Sequence, residues 1–316
     1  MNPSTSPFRH MFLATDLSEE TLHVDALALQ FASRLGAQIT FASVDSDLRK
    51  WSKYSAFASG IFPGNVIHMS EINFATVLEK QFQDRLDRLQ ILSRDNIQTL
   101  KLKGQTEAEI LKEYENADSP CDLLIMGKKH HSFFQEFILG STVLRTLKKI
   151  TKPLLVIPAD STLENVGKSR ILVATALNDN LDKCETLACS IAAATGATIS
   201  LVHVLEPVLD LAYEADPLLR MEVERGFERA FATLEKERSL SLTKHADHMH
   251  QKTSTHITTH LLKGEPTEEL VSFAEKLKPD LIILGHRPRG AVENFFAHDL
   301  GQRLIERVHR PILLCS

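Results

Sequence analysis

The amino-acid sequence predicts an α/β protein made of two tandem copies of one doubly wound, parallel-sheet sandwich. Three observations carry that expectation: a long internal repeat, an alternation between two hydrophobic periods, and strands that are apolar from end to end.

The repeat shows at three places in the same order. Phe12 to Ser18 reads FLATDLS and is answered by Leu172 to Asn178, LVATALN. Leu102-Lys103-Gly104 recurs at the same offset as Leu262-Lys263-Gly264, and a helical pattern follows each. Cys121 to Pro158, containing DLLIMG and ending PLLVIP, pairs without a gap with Pro279 to Ser316, containing DLIILG and ending PILLCS. A chain of 316 residues is long enough for two domains with a core each, and the repeat divides it into 1–160 and 168–316. The stretch Asp160 to Ser169, charged, polar and short, is the linker.

Within the first copy, short runs of Ile, Val and Leu alternate with longer stretches whose apolar residues recur at three and four. Strands are expected near 11–15, 38–44, 97–102, 122–126 and 154–158, with helices near 19–34, 71–94, 106–116 and 141–149. The second copy repeats the order. Strands apolar throughout and separated by helices imply a parallel sheet covered on both faces. Asp45 to Ser70 is a long connection with Trp51, Tyr54, Phe57 and Phe62 among Gly, Pro and Ser; its aromatics either cover a ligand or pack the loop down. Leu209 to Leu219 stands there in the second copy.

Composition narrows the partners. Hydrophobic residues make up 43% and charged residues 24%, with a formal net charge of -5, so no basic surplus points to nucleic acid. The longest apolar runs have strand length, well short of the roughly 20 residues that cross a bilayer. Met1 to His10 lacks the apolar stretch of a signal peptide and reads as a frayed end. Cys121, Cys184, Cys189 and Cys315 have no paired metal spacing, which fits space-filling thiols in a reduced cytoplasmic setting.

Ligands in such sheets sit beyond the carboxyl ends of the strands where strand order reverses, here after strands one and four. After strand four the chain reads Gly127-Lys128-Lys129-His130, then nine residues, then Gly140-Ser141-Thr142 opening a helix. Glycine lets backbone approach a phosphate, while helix-start amides and the two hydroxyls can donate to it. Lys128 and Lys129 offer countercharge. Gly-Ser-Thr before a helix is equally what a plain cap looks like. Asp16, ending strand one, can accept from a ribose hydroxyl or an amine, or simply cap the first helix, as Ser18 also could.

The G-x-x-G spacing, nine residues, then G-S, between a DLLIMG strand and a closing PLLVIP strand, resembles the signature of universal stress proteins, a branch of the adenine nucleotide alpha hydrolase-like fold. The two copies together cover nearly the whole chain. The resemblance implies a stress-response protein holding ATP, with Mg as its companion, in the first copy. Its site residues there are Ala14, Thr15 and Asp16 after strand one, Val44 by the adenine, and Met126, Gly127, Lys129, His130, Gly140, Ser141 and Thr142 around the phosphates. The family's dimerisation through its last strand implies that the copies dock as an intrachain pseudo-dimer, with higher homo-oligomers open.

Departures from the pattern are informative. His130 stands where the second glycine belongs, to crowd the loop or donate to a phosphate. In the second copy Ala176 replaces the Asp, Pro288 the glycine, and His298-Asp299 the Gly-Ser, so its nucleotide site is expected to be lost. That copy would then serve docking, a small molecule or a protein partner.

Three rival readings remain. Slow ATP hydrolysis is one, although neither a His-x-Gly-His pair nor a Ser-Gly-Gly-x-Asp-Ser loop is present. A metal site at His245, His248, His250, His256 and His260 is another; the spacing matches no closed zinc motif and fits a solvated helix end followed by a strand. A scaffold that binds a non-nucleotide ligand or a partner is the third.

Overall fold

The computed structural model describes residues 6–45, 66–89, 95–128, 140–161, 169–177, 182–206, 217–285 and 296–315. The chain forms two compact units, one holding the described residues through Ser161 and the other those from Ser169 onward.

In the first unit the elements run β1 (His10–Ala14), α1 (Leu22–Leu35), β2 (Gln38–Asp45), α2 (Val66–Arg88), β3 (Ile97–Lys103), α3 (Thr106–Glu115), β4 (Leu123–Lys128), α4 (Ser141–Leu147) and β5 (Leu154–Pro158). The strands lie in the order β3-β2-β1-β4-β5, all pairs parallel, with Ala14 beside Ala42 on one side and Met126 on the other. The second unit runs β6 (Arg170–Ala174), α5 (Asp182–Thr195), β7 (Thr198–Leu205), α6 (Pro217–Lys252), β8 (Ile257–Lys263), α7 (Pro266–Leu277), β9 (Leu281–Gly285), α8 (Phe296–Arg307) and β10 (Ile312–Cys315). Its order, β8-β7-β6-β9-β10, is the same winding.

Helix packing on both faces explains why the central strands are apolar at every position: β1, β4 and β5 are buried nearly throughout, as are β6, β9 and β10. The edge strand β3 instead exposes Gln98, Thr99, Lys101 and Lys103, and Lys101 pairs with Glu79 of α2 at 2.5 Å. Lys263 of β8 and Glu235 of α6 repeat that pairing at 2.7 Å. Charge on an edge strand discourages further strand addition. Asp122, just before β4, accepts from the backbone amides of Arg9 and His10; Asp280 accepts from that of Arg170. Each carboxylate thus ties the start of the unit's fourth strand to the start of its first.

Element order agrees with the sequence reading, and the boundaries shift in three places. A single 3-10 turn, Glu19–Thr21, precedes α1, which therefore starts at Leu22 rather than near 19. Helix α2 spans Val66–Arg88 instead of 71–94, and α6 starts at Pro217, inside the connection expected to reach Leu219. The aromatics Trp51, Tyr54, Phe57 and Phe62 lie outside the described residues.

The turns after β3 and β8 use glycine for a stated reason. Gly104 and Gly264 sit at φ +143° and +145°, and a Cβ on Gly264 would come within 2.8 Å of the Glu269 carboxylate. Strain of both kinds predicts that Gly264→Ala destabilises the second unit by about 1–3 kcal/mol, read as a lower urea midpoint with an unchanged slope.

Candidate functional site

Because β2 and β4 flank β1 on opposite sides, the chain leaves β1 at the point where strand order reverses. Ala14 closes β1 and Met126 is its register partner on β4; Gly127 follows, half-buried, with Val24 of α1 only 3.3 Å from where a Cβ would stand. Val44 lies half-buried near the end of β2. Thr15 is buried and donates its amide to Ala42 at 2.9 Å. The structure thus gathers Ala14, Thr15, Asp16, Val44, Met126 and Gly127 at the carboxyl ends of β1, β2 and β4.

The turn after β1 is built from side-chain oxygens. The Leu17 amide donates to Thr15 Oγ1 at 3.1 Å, and the Ser18 amide and Thr21 hydroxyl donate to Asp16 Oδ1 at 3.0 and 3.1 Å. Asp16 is exposed, so it serves the turn and faces solvent together. Ser18 occupies the cap position but its side chain makes no capping bond. Leu17 sits at φ 57°, the left-handed region that a branched apolar residue ordinarily avoids.

Gly140 precedes α4 in ordinary extended geometry, φ -55° and ψ 139°, with none of the described residues within 4 Å of a Cβ placed there. Ser141 and Thr142 open α4, exposed and half-buried, and Arg145 donates to the Ser141 hydroxyl at 3.2 Å. Lys129 and His130 lie outside the described residues. Lys128, read from the sequence as countercharge, closes β4 as a residue only 1% exposed. The alternation of side chains along the strand decides this, because Lys128 points to the same face as the buried Met126.

Two residues that sequence reasoning missed stand behind the turn. Asp25 of α1, with no exposed surface, lies 3.0 Å from Arg85 Nη1 of α2, whose side chain is 2% exposed. Arg85 also donates through Nη2 to the Ser18 carbonyl at 2.5 Å, and the Thr15 hydroxyl donates to Asp25 Oδ2 at 3.2 Å. Burial pushes the Asp25 carboxyl up to about 7, against the pull of Arg85 and the Thr15 hydroxyl. A charged residue on the apolar stripe of α1, between Val24 and Leu27, was the available signal.

The second unit reproduces the first residues of the turn, through Leu177, without its carboxylate. Thr175 donates its amide to Val202 at 2.8 Å and accepts from Leu177 at 3.2 Å, and Leu177 has φ 56°. Ala176 stands exposed in the position of Asp16. Helix α8 begins at Phe296, so His298 and Asp299 fall within a helix rather than at its entrance, as expected if a glycine-led entry has been replaced by helix-compatible residues. Pro288 lies outside the described residues.

The histidines of the second unit disperse to separate partners. His245 Nδ1 is 2.6 Å from Glu185 Oε1, His260 Nε2 is 3.0 Å from the Thr258 hydroxyl with its ring against Phe273, and His248, His250 and His256 are exposed. Helix α6 ends at Lys252 and β8 starts at Ile257, the helix end followed by a strand that the spacing suggested. His203 is buried on β7, and its Nδ1 donates to the Thr175 carbonyl at 2.8 Å. All four cysteines are buried free thiols, and burial pushes that of Cys189 up to about 11.

Comparison with known proteins accords with this geometry. The model of the universal stress protein family matches residues 7–158 and again 168–316. A universal stress protein of Thermus aquaticus is 30% identical over 144 residues, which span 46% of this chain and 96% of that protein. A universal stress protein structure from Archaeoglobus fulgidus, at 18% identity, superposes with a TM-score of 0.64 over 98% of both chains. A putative universal stress protein from Pseudomonas aeruginosa, at 13% identity, does so at 0.56 over 99% of this chain and 94% of its own. The chain belongs to the universal stress protein family, as a tandem member with two copies of the domain.

Dispersed histidines predict the response to metal removal. Dialysis against a chelator leaves the melting temperature unchanged; a drop reversed by zinc and not by magnesium would reveal a structural site.

Proposed function

We propose that this chain is a stress-response protein that binds one adenine nucleotide, ATP, in its first unit, with the second unit kept for docking or another ligand. One contrast carries the reading. Both units follow their first strand with a threonine and a leucine at positive φ, yet only the first sets a carboxylate, Asp16, between them, where the second has Ala176. Asp16 holds the turn through the Ser18 amide and the Thr21 hydroxyl and is exposed as well, so its carboxylate is open to a ligand.

In this reading Asp16 accepts from the nucleoside, backbone near Val44 borders the adenine, and Ala14, Thr15 and Met126 form the floor. Gly127, Gly140, Ser141 and Thr142, with Lys129 and His130 from the loop, face the phosphates. The hydroxyls beside Gly140, with no described residue within 4 Å of a Cβ there, suit a group of that kind. Magnesium enters as the companion of those phosphates. Four buried free thiols accord with a reducing, cytoplasmic setting.

Gly140→Asp tests the site, because the Gly140 backbone is ordinary and no described residue stands within 4 Å of a Cβ there, so the fold is expected to be retained. Titration calorimetry is expected to give one ATP per wild-type chain and no binding heat for Gly140→Asp, whose carboxylate repels the phosphates. Ala176→Asp alone creates no second site. Two equivalent sites, or binding that survives Gly140→Asp, would overturn the reading.

We further propose that the two copies dock on one another as a pseudo-dimer through their closing strands, as the family's dimers do. Halves separated by cleavage near Asn165 are then expected to self-associate in light scattering. Monomeric halves at high concentration would remove that proposal.

A further inference from the structure

A fully buried carboxylate is costly unless it is paired, and pairing alone rarely yields net stability. Asp25 nevertheless sits on the apolar face of α1 beside the buried Val24 and Leu27. Its Oδ1 accepts no hydrogen bond among the described residues, so the group is not fully compensated. What the pair touches explains its presence. Arg85 spans from Asp25 to the Ser18 carbonyl, Thr15 joins Asp25 to the end of β1, and Thr21 lies 3.4 Å from Thr15 and donates to Asp16. A continuous polar path therefore runs from the buried pair to the carboxylate proposed to meet the nucleoside.

The second unit supplies an independent observation. The repeat aligns Asp25 with Glu185 and Arg85 with His245, and those two side chains are themselves in contact at 2.6 Å, with the Glu185 side chain 6% exposed. Both residue types have changed, yet a buried carboxylate still meets a nitrogen base between the same two helices. The contact is a built feature of the module rather than an accident of one copy.

We propose that Asp25 and Arg85 are positioning residues for the nucleotide site of the first unit: their ion pair clamps the turn that carries Asp16, and occupancy of the site is linked to the charge on Asp25. The proposal rests on the nucleotide reading above. The groups facing Asp25 are Arg85 from α2, Thr15 from the end of β1, and Asp16 and Thr21 from the turn; Arg88 and Glu19 pair with each other at 2.7 Å farther out. Since the carboxyl is pushed up to about 7, its charge is present above neutral pH and lost as pH falls through that value. The clamp, and with it ATP affinity, is therefore stronger at pH 8 than at pH 6.

Removing one partner would strand a buried charge, so both are replaced, in Asp25→Leu with Arg85→Met. Amide hydrogen exchange without ligand is expected to show faster exchange at Leu17 and Ser18 in this variant, with β2 as protected as in the wild type. In calorimetry, wild-type ATP affinity is expected to rise between pH 6 and pH 8 by roughly fivefold more than that of the variant. The titration of ATP itself is common to both proteins and cancels. Unchanged exchange at Leu17 and Ser18 in the folded variant overturns the clamp. Equal pH profiles overturn the linkage and leave the nucleotide reading standing. If wild type binds no ATP, that reading falls, and exchange at Leu17 and Ser18 at the two pH values decides the clamp alone. Should the double variant not fold, Arg85→Lys keeps the charge but lacks the fork that reaches both Ser18 and Asp25, and it is read in the same assays with the same expected direction.

Discussion

The structure depends on burying a parallel sheet on both faces. That constraint removes polar side chains from the middle of β1, β4 and β5 and leaves chemistry to the strand ends. Since β2 and β4 pair with opposite sides of β1, the carboxyl end of β1 is where the helices crossing to either face diverge and where backbone groups lose their sheet partners. The turn there must satisfy those groups within a few residues. Thr15, Asp16 and Thr21 do so with side-chain oxygens, while Leu17 accepts a backbone conformation that is unfavourable for its type.

Having two versions of one module in a chain separates what folding needs from what a ligand would need. Threonine before the turn and a leucine at positive φ occur in both units, with nearly equal hydrogen-bond lengths, so they belong to the fold. The same holds for the braces by Asp122 and Asp280 and the edge pairs Lys101 with Glu79 and Lys263 with Glu235. Asp16 and the glycine-led entry to α4 occur in the first unit alone. The second unit, which lacks them, keeps the same strand order and the same threonine and leucine geometry through Leu177.

Much of the fold was legible because its signals are local or repeated. Ile, Val and Leu runs at strand length gave β1 to β5 within a residue or two, and the match of Cys121–Pro158 to Pro279–Ser316 carried the reading across the chain. Helix starts were less legible: the 3-10 turn before α1 depends on Asp16 and Thr21 closing a turn around backbone that helical periodicity does not register. The candidate site was legible where glycine or a strand end marked it, as at Gly127 and Gly140. The burial of Lys128 was not legible, because it depends on which way the last residue of a strand points, and that is fixed by the neighbouring strands rather than by the motif. Asp25 and Arg85 escaped because their meaning lies in a pairing between α1 and α2, distant in sequence, and only the structure brings the two together.

That pairing also bears on why the module keeps charge in its interior. An apolar pair of similar volume would be expected to leave the sheet as stable or more so. It could not, however, reach the Ser18 carbonyl or the Thr15 hydroxyl, and the turn would lose its buried tie to α2. In the second unit, where no carboxylate needs to be held at position 176, the guanidinium has given way to an imidazole whose observed contact is with Glu185. The long, forked side chain occurs in the unit whose turn carries Asp16. Its reach to that turn, more than any gain in stability, accounts for an arginine in the core.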